Sequence, residues 1–244
     1  MKILFILLIL LVLYYCYNNI KKNDSNIQFL NNYELYNLLE KNNEYYDTFN
    51  NYDFKVRSIV NIPNYIDIIS NSVSDFTNVE KDILTRAINM ANIRLRKINL
   101  PYFDGKVAAD IVWKLGITKN NNYENGYPHT IHDTIILSRT NNININSLVN
   151  TLVHEKVHIY QKKYYEQYLL YLKENNFNII RKKLDSDNIR ANPDTYYDNY
   201  IYSKNNQIYI MQYNINPTSI GDTIQRNQYY EHPLETMAIE ITNY

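Results

Sequence analysis

Two histidines one helical turn apart, His154 and His158, constrain this chain more than any other feature. They lie in a strongly helical run with Glu155 between them. On an α-helix, residues i and i+4 share a face, so both imidazoles reach one point beside the helix. Glu155 is too close in sequence to bind at that point in the same way, but it can reach a water held there. The chain has five His and eleven Glu in 244 residues, and a chance match to this spacing has a probability of roughly half a percent. The helix is expected from Leu148 to about Lys173, with Ser147 as its N-cap and an end at Asn175-Asn176. Leu148, Leu152, Ile159 and Leu169 give it a core-facing side opposite the histidines.

The pattern His154-Glu155-Lys156-Val157-His158 resembles the H-E-x-x-H helix of the zincin metallopeptidases. The resemblance implies Zn2+ held by His154 and His158, Glu155 as general base, and a peptide or protein as substrate. Such a zinc has a third protein ligand and one open position. The metzincin continuation requires glycine and histidine where this chain has Gln161 and Tyr164, which excludes that class.

A Glu ligand from a later helix, the gluzincin solution, remains. The stretch Tyr230-Glu231-His232-Pro233-Leu234-Glu235-Thr236-Met237-Ala238 resembles the text that carries it. Pro233 suits a first helical turn, and Glu235 falls in that turn. Glu235 is the expected third ligand, with Glu231 and His232 as the other candidates. An acid near a helix N-terminus is also favoured by the dipole alone. Gluzincins place an acidic residue four positions after this Glu to orient a ligand histidine. Here that position is Ile239, with Glu240 one further, so the orienting partner is unassigned. His129, His132 and His232 read first as structural imidazoles. One of them, or Tyr229 or Tyr230, is a candidate donor to the oxyanion.

The rest of the chain reads as an α+β domain. Tyr33 to Phe49 has a helical pattern, and Lys55 to Ile69 alternates as a strand or two around Pro63. Thr77-Asn78-Val79-Glu80 is a capping box opening a long helix to Lys97. Ala108 to Thr118 and Thr134 to Ser138 read as strands. By the zincin resemblance, the first long helix backs a small mixed sheet. The strand before the active-site helix would be the cleft-lining edge, to which an extended peptide adds by β-augmentation. The stretch from His158 to Glu235 is expected to cover the cleft, with a turn at Asn192-Pro193-Asp194 and a strand, as part of a hairpin flap, over Gln207 to Tyr213.

Net charge is zero, and Lys and Arg are scattered among acids, which excludes a nucleic-acid surface. One cysteine, Cys16, excludes an intrachain disulfide. Asn makes up roughly one residue in six; together with Ile, Lys and Tyr it has AT-rich codons. Ile3 to Tyr17 is an unbroken apolar run ending in tyrosines, without small residues at a cleavage position. The resulting division is a membrane anchor or signal segment over 1–22, a tether over 23–32 and a zincin-like catalytic domain over 33–244. The expected location is at a membrane through a single N-terminal span, with secretion after cleavage as the other reading. The composition and short anchor also look like those of zincin-like proteins of large DNA viruses, implying a virion or host membrane. A non-catalytic, zinc-stabilised membrane or virion protein is the alternative function. Retention of Glu155 speaks against it, because a site kept only for metal needs no base.

Overall fold

A computed structural model of the chain describes residues 27–140 and 144–244. It is a mixed α+β structure. β1 (Ile27–Phe29) is followed by a helical layer made of α1 (Asn32–Glu40), α2 (Asn43–Tyr46), α3 (Asn51–Val56) and α4 (Ile62–Ser72). β2 (Val73–Ser74) leads into the long α5 (Asn78–Leu95). The short pair β3 (Asn99–Leu100) and β4 (Phe103–Asp104) precedes α6 (Gly105–Asp110) and then β5 (Trp113–Thr118), β6 (His129–Ile131) and β7 (Thr134–Ser138). α7 (Ile145–Lys163) carries the two histidines and is followed by α8 (Tyr165–Glu174). Last come β8 (Asn178–Lys182), β9 (Tyr200–Lys204), β10 (Gln207–Tyr209) and α9 (Pro233–Asn243).

The main sheet runs β1-β5-β7-β6, with β2 also paired to β5. β1, β5 and β7 are parallel, whereas β6 joins β7 as an antiparallel edge. Alternation along the strands splits the core in two. Leu115, Ile117, Ile135 and Leu137 face a cluster shared with α5, α7 and α9, including Leu84, Ala91, Leu152, Val153 and Met237. Ile131 and Ile136 face the other way, onto Leu35, Leu39, Tyr45 and Ile69 of the first helical layer. Gly116 lets that layer approach, since a Cβ there would lie 2.5 Å from Leu35 Cδ1. The carrier helix α7 is therefore held between the sheet and two other helices.

A buried ion network ties the first layer to the loop before β6. Arg57 bridges Asp53 Oδ1 at 2.8 Å and Glu124 Oε2 at 2.8 Å and donates to Tyr45 Oη at 2.9 Å. Tyr65 Oη donates to Glu124, and Tyr213 Oη donates to Asp53 at 2.8 Å. Removing one partner of such a pair leaves uncompensated buried charge. Arg57→Leu is expected to lower stability by about 3–5 kcal/mol in urea unfolding followed by circular dichroism.

Several sequence expectations hold. The Thr77–Glu80 capping box opens α5, and Pro233 sits in the first turn of α9 with Glu235. Of the strand expected over Gln207 to Tyr213 only Gln207–Tyr209 forms, as a hairpin with β9 across Asn205 and Asn206, both at positive φ. None of its three residues lines the cavity beside His154. Others need correction. The 55–69 stretch is helical, because Asn50 with Asp53 and Asn61 before Pro63 supply caps that outweigh the alternation. Only Trp113 onward is strand in 108–118, since Asp104 caps a short helix through Asp110. The 148–173 helix is two helices. Asn144, not Ser147, caps the first, and Tyr164 leaves helical geometry between them. Residues 27–29 of the expected tether form β1 and pair with β5.

The membrane-anchored localisation is also corrected. No helix among the described residues is long and apolar enough to cross a membrane, and the apolar run over 3–17 lies outside the described residues.

Candidate metal centre

α7 places His154 and His158 one turn apart, and α9 packs against it with Glu235 in its opening turn. His232 is the N-cap of α9, its Nδ1 accepting from Leu234 N at 3.3 Å. Pro233 then fixes the first turn, so that Glu235 faces α7. The result is a compact cluster. His154 Nε2 and His158 Nε2 are 3.1 Å apart, and Glu235 Oε2 lies 3.3 Å from the first and 3.6 Å from the second.

These distances test whether a zinc ion fits. With bonds of about 2.0–2.2 Å to nitrogen and oxygen in tetrahedral geometry, any two ligand atoms lie about 3.3–3.5 Å apart. The observed three bracket that edge, so the atoms outline one face of a coordination tetrahedron. Glu235 and His158 are wholly buried and His154 is partly exposed, which leaves the fourth direction toward His154's open side.

Charge in the cluster is self-consistent. Burial raises the Glu235 carboxyl, but His158 and His154 outweigh it and hold it well below the usual range. Burial disfavours the His158 imidazolium, yet Asp194 and Glu235 raise it to about 9. A cation placed there has to displace that proton, so its affinity falls with falling pH. Glu155 is pushed well above the usual range by burial and by Asp194. A divalent cation at the cluster acts in the opposite sense on this carboxyl.

Residues that the sequence did not assign to the site hold these three side chains in place. Gln161 Oε1 accepts from His158 Nδ1 at 2.9 Å, and its Nε2 donates to Leu234 O at 2.9 Å. It thereby fixes His158 with Nε2 toward the cluster and links α7 to α9. Asn192 Nδ2 donates to Glu235 Oε1 at 2.8 Å, and Gln228 Nε2 donates to Glu235 Oε2 at 2.8 Å. Gln161 was legible in principle, being three residues past His158 on the same helix face. Asn192 and Gln228 come from distant loops, and nothing local marks them. Supporting bonds to ligands are typically worth 10–100-fold in metal affinity. Gln161→Leu is expected to weaken zinc binding by about that factor in a competitive chelator titration.

The remaining candidates sit elsewhere. Glu231 is engaged by Arg190 at 2.5 Å and Asn192 at 3.0 Å. Glu240 accepts from Tyr229 at 2.6 Å and Tyr171 at 2.9 Å, so Glu240 does not orient His154 or His158, and the Tyr229 hydroxyl, a candidate oxyanion donor, gives its hydrogen to Glu240. His132 is exposed in the β6–β7 turn at φ 51°. His129 is buried between Tyr127 O and Tyr123 Oη, at 2.9 and 3.2 Å.

A cavity of about 480 Å³ opens onto His154 and Glu155. The expected strand-addition edge is not available to it. β7 is interior, between β5 and β6. β6, the actual edge, is buried under the segment around Ala191–Asp194. Asp194 takes the outward N–H of Thr130 at 2.8 Å, and Lys162 donates to its carbonyl at 2.8 Å. No protein family, curated protein or solved structure matches the chain.

Proposed function

We propose that this protein is a zinc-dependent metallopeptidase with a gluzincin-like arrangement. His154, His158 and Glu235 would hold the metal, and Glu155 would be the general base. The observation that carries the reading is the spacing of the three ligand atoms, 3.1, 3.3 and 3.6 Å, beside a buried carboxylate in a cavity. Zinc in such a site supplies Lewis acidity toward a carbonyl and acidifies a water to a pKa near 7. Glu155 then takes a proton from the attacking water and returns it to the departing amine. Water adds across the C–N bond, giving one carboxylic acid and one amine. Gln161 and Asn192 keep the ligands aimed, and burial of Glu155 excludes competing solvent.

A zinc-stabilised binding protein without catalysis is the competing reading. Glu155 Oε2, buried without a hydrogen-bond partner, favours the enzyme. An unsatisfied buried carboxylate costs stability, which a purely structural site has no reason to retain. The test is zinc content of the full chain after reconstitution, together with hydrolysis of a mixed peptide library followed by mass spectrometry. One zinc per chain and cleavage abolished by a chelator are expected. Absence of zinc after reconstitution would overturn both readings, and zinc without cleavage would leave the binding protein.

A further inference from the structure

The cavity is lined by both exposed and deeply buried residues. Its mouth is formed by the exposed Tyr127, Asn150, Gly221 and Arg226. Its lining also includes Glu155 and Asp194, which are 3 % and 5 % exposed. Thr130 and Ile131 are wholly buried, and Lys162 donates to Thr130 O and Pro193 O. Both carboxylates come close to His158 of the metal cluster.

When ionised, Glu155 and Asp194 accept hydrogen bonds and offer none. One oxygen each of Glu155 and Asp194, with one His158 ring nitrogen, lie within 4.8 Å of one another. Glu155 Oε2 is buried and without a partner. Asp194 receives both of its side-chain bonds, from Thr130 N and Oγ1, on Oδ1. Its Oδ2 keeps its acceptor capacity. Lys162 Nζ lies 4.0 Å from Asp194 Oδ1, and an ammonium has three donors. Thr130 O, Thr130 Oγ1 and Pro193 O take them, at 2.8, 2.7 and 3.3 Å. A substrate carboxylate between Glu155 and Asp194 would meet two carboxylates, whereas an ammonium would meet two acceptors.

We infer, building on the metallopeptidase reading, that Asp194 binds the free α-amino group of the substrate and that the protein is an aminopeptidase. An N-terminal nitrogen is separated from the first carbonyl carbon by Cα alone, about 2.5 Å through space for standard bond lengths. A carboxylate one residue's reach from the ligand cluster is therefore placed to hold the amine while the first carbonyl sits at the metal. Water adds across the first peptide bond, releasing one amino acid and a peptide with a new α-amine.

The test uses the zinc-reconstituted full chain with the tripeptide Leu-Ala-Phe amide and its N-acetyl counterpart. A hydrogen bond to a charged group sets the expected preference for the free amine at about 10- to 100-fold in kcat/KM. Asp194→Asn keeps Oδ1 for Thr130 and is expected to reduce that preference, read as the ratio of the two peptides within the variant, to less than about threefold. Calorimetry on zinc-loaded Glu155→Gln reads the same preference in Kd without turnover. Equal cleavage or equal binding of the two peptides, or cleavage confined to internal bonds, overturns the amine anchor while the metallopeptidase stands. Zinc-loaded protein that cleaves neither peptide and binds both alike overturns both.

Discussion

Glu155→Gln is expected to lower hydrolysis by about 10²- to 10⁴-fold, the usual contribution of a positioned general base, while zinc content stays at one per chain. The amide has the same shape as the carboxylate and cannot take a proton from water. Glu155 does not belong to the three-atom ligand cluster of His154, His158 and Glu235, so its replacement leaves the metal site whole. The substitution also exchanges a buried carboxyl for a neutral group beside Asp194, relieving the repulsion that raises its pKa. Thermal stability of the variant is therefore expected to equal or exceed that of the parent. Loss of activity with a gain in stability separates a catalytic role from a structural one. A variant that keeps full activity would remove Glu155 from the mechanism.

His158→Ala carries the second large effect. It removes one of the three proposed ligands and the ring that fills the wholly buried space between Glu235 and Gln161. Zinc content of the purified variant is expected to fall below a tenth per chain at micromolar metal. In the parent, zinc at a thousand times its dissociation constant adds about 4 kcal/mol of stability by mass action. That increment is expected to vanish in the variant, so chelator no longer shifts its melting temperature. Without a cation or His158, Glu235 loses the main group that holds it ionised. If the variant still shows a zinc-dependent shift, the ion sits elsewhere. The second grouping, Glu155 and Asp194 with His158, shares the same histidine, so mutating Glu235 as well distinguishes the two positions.

The parts of this molecule legible in the sequence are those governed by local chemistry. The i, i+4 spacing of His154 and His158, the capping box at Thr77 and the Pro233 turn with Glu235 are each written within a few residues. The structure forms each of them locally. Misreadings arise where two local signals compete. Over 55–69 an alternating pattern stood against the Asn61 cap and Pro63, and the cap decided the outcome. What lay beyond reach is long-range. Asn192 meets Glu235 across 43 residues, and Thr130 meets Asp194 across 64. Neither contact has a periodic or spacing signature. The position of β7 inside the sheet follows from β6 folding back on it through a two-residue turn at His132-Asp133, where only the positive φ of His132 marks the reversal.

The segment that covers β6 has a consequence for how the protein behaves in a crowded solution. A bare sheet edge presents unpaired amides and carbonyls, and it is where separate molecules join strand to strand and precipitate. Here Asp194 and Lys162 occupy those groups at Thr130, and the strand is buried on both faces. Proteolytic nicking near Asn192 would do more than widen a cleft. It would uncover a docking rail for other copies of the chain, so loss of function and loss of solubility would arrive together.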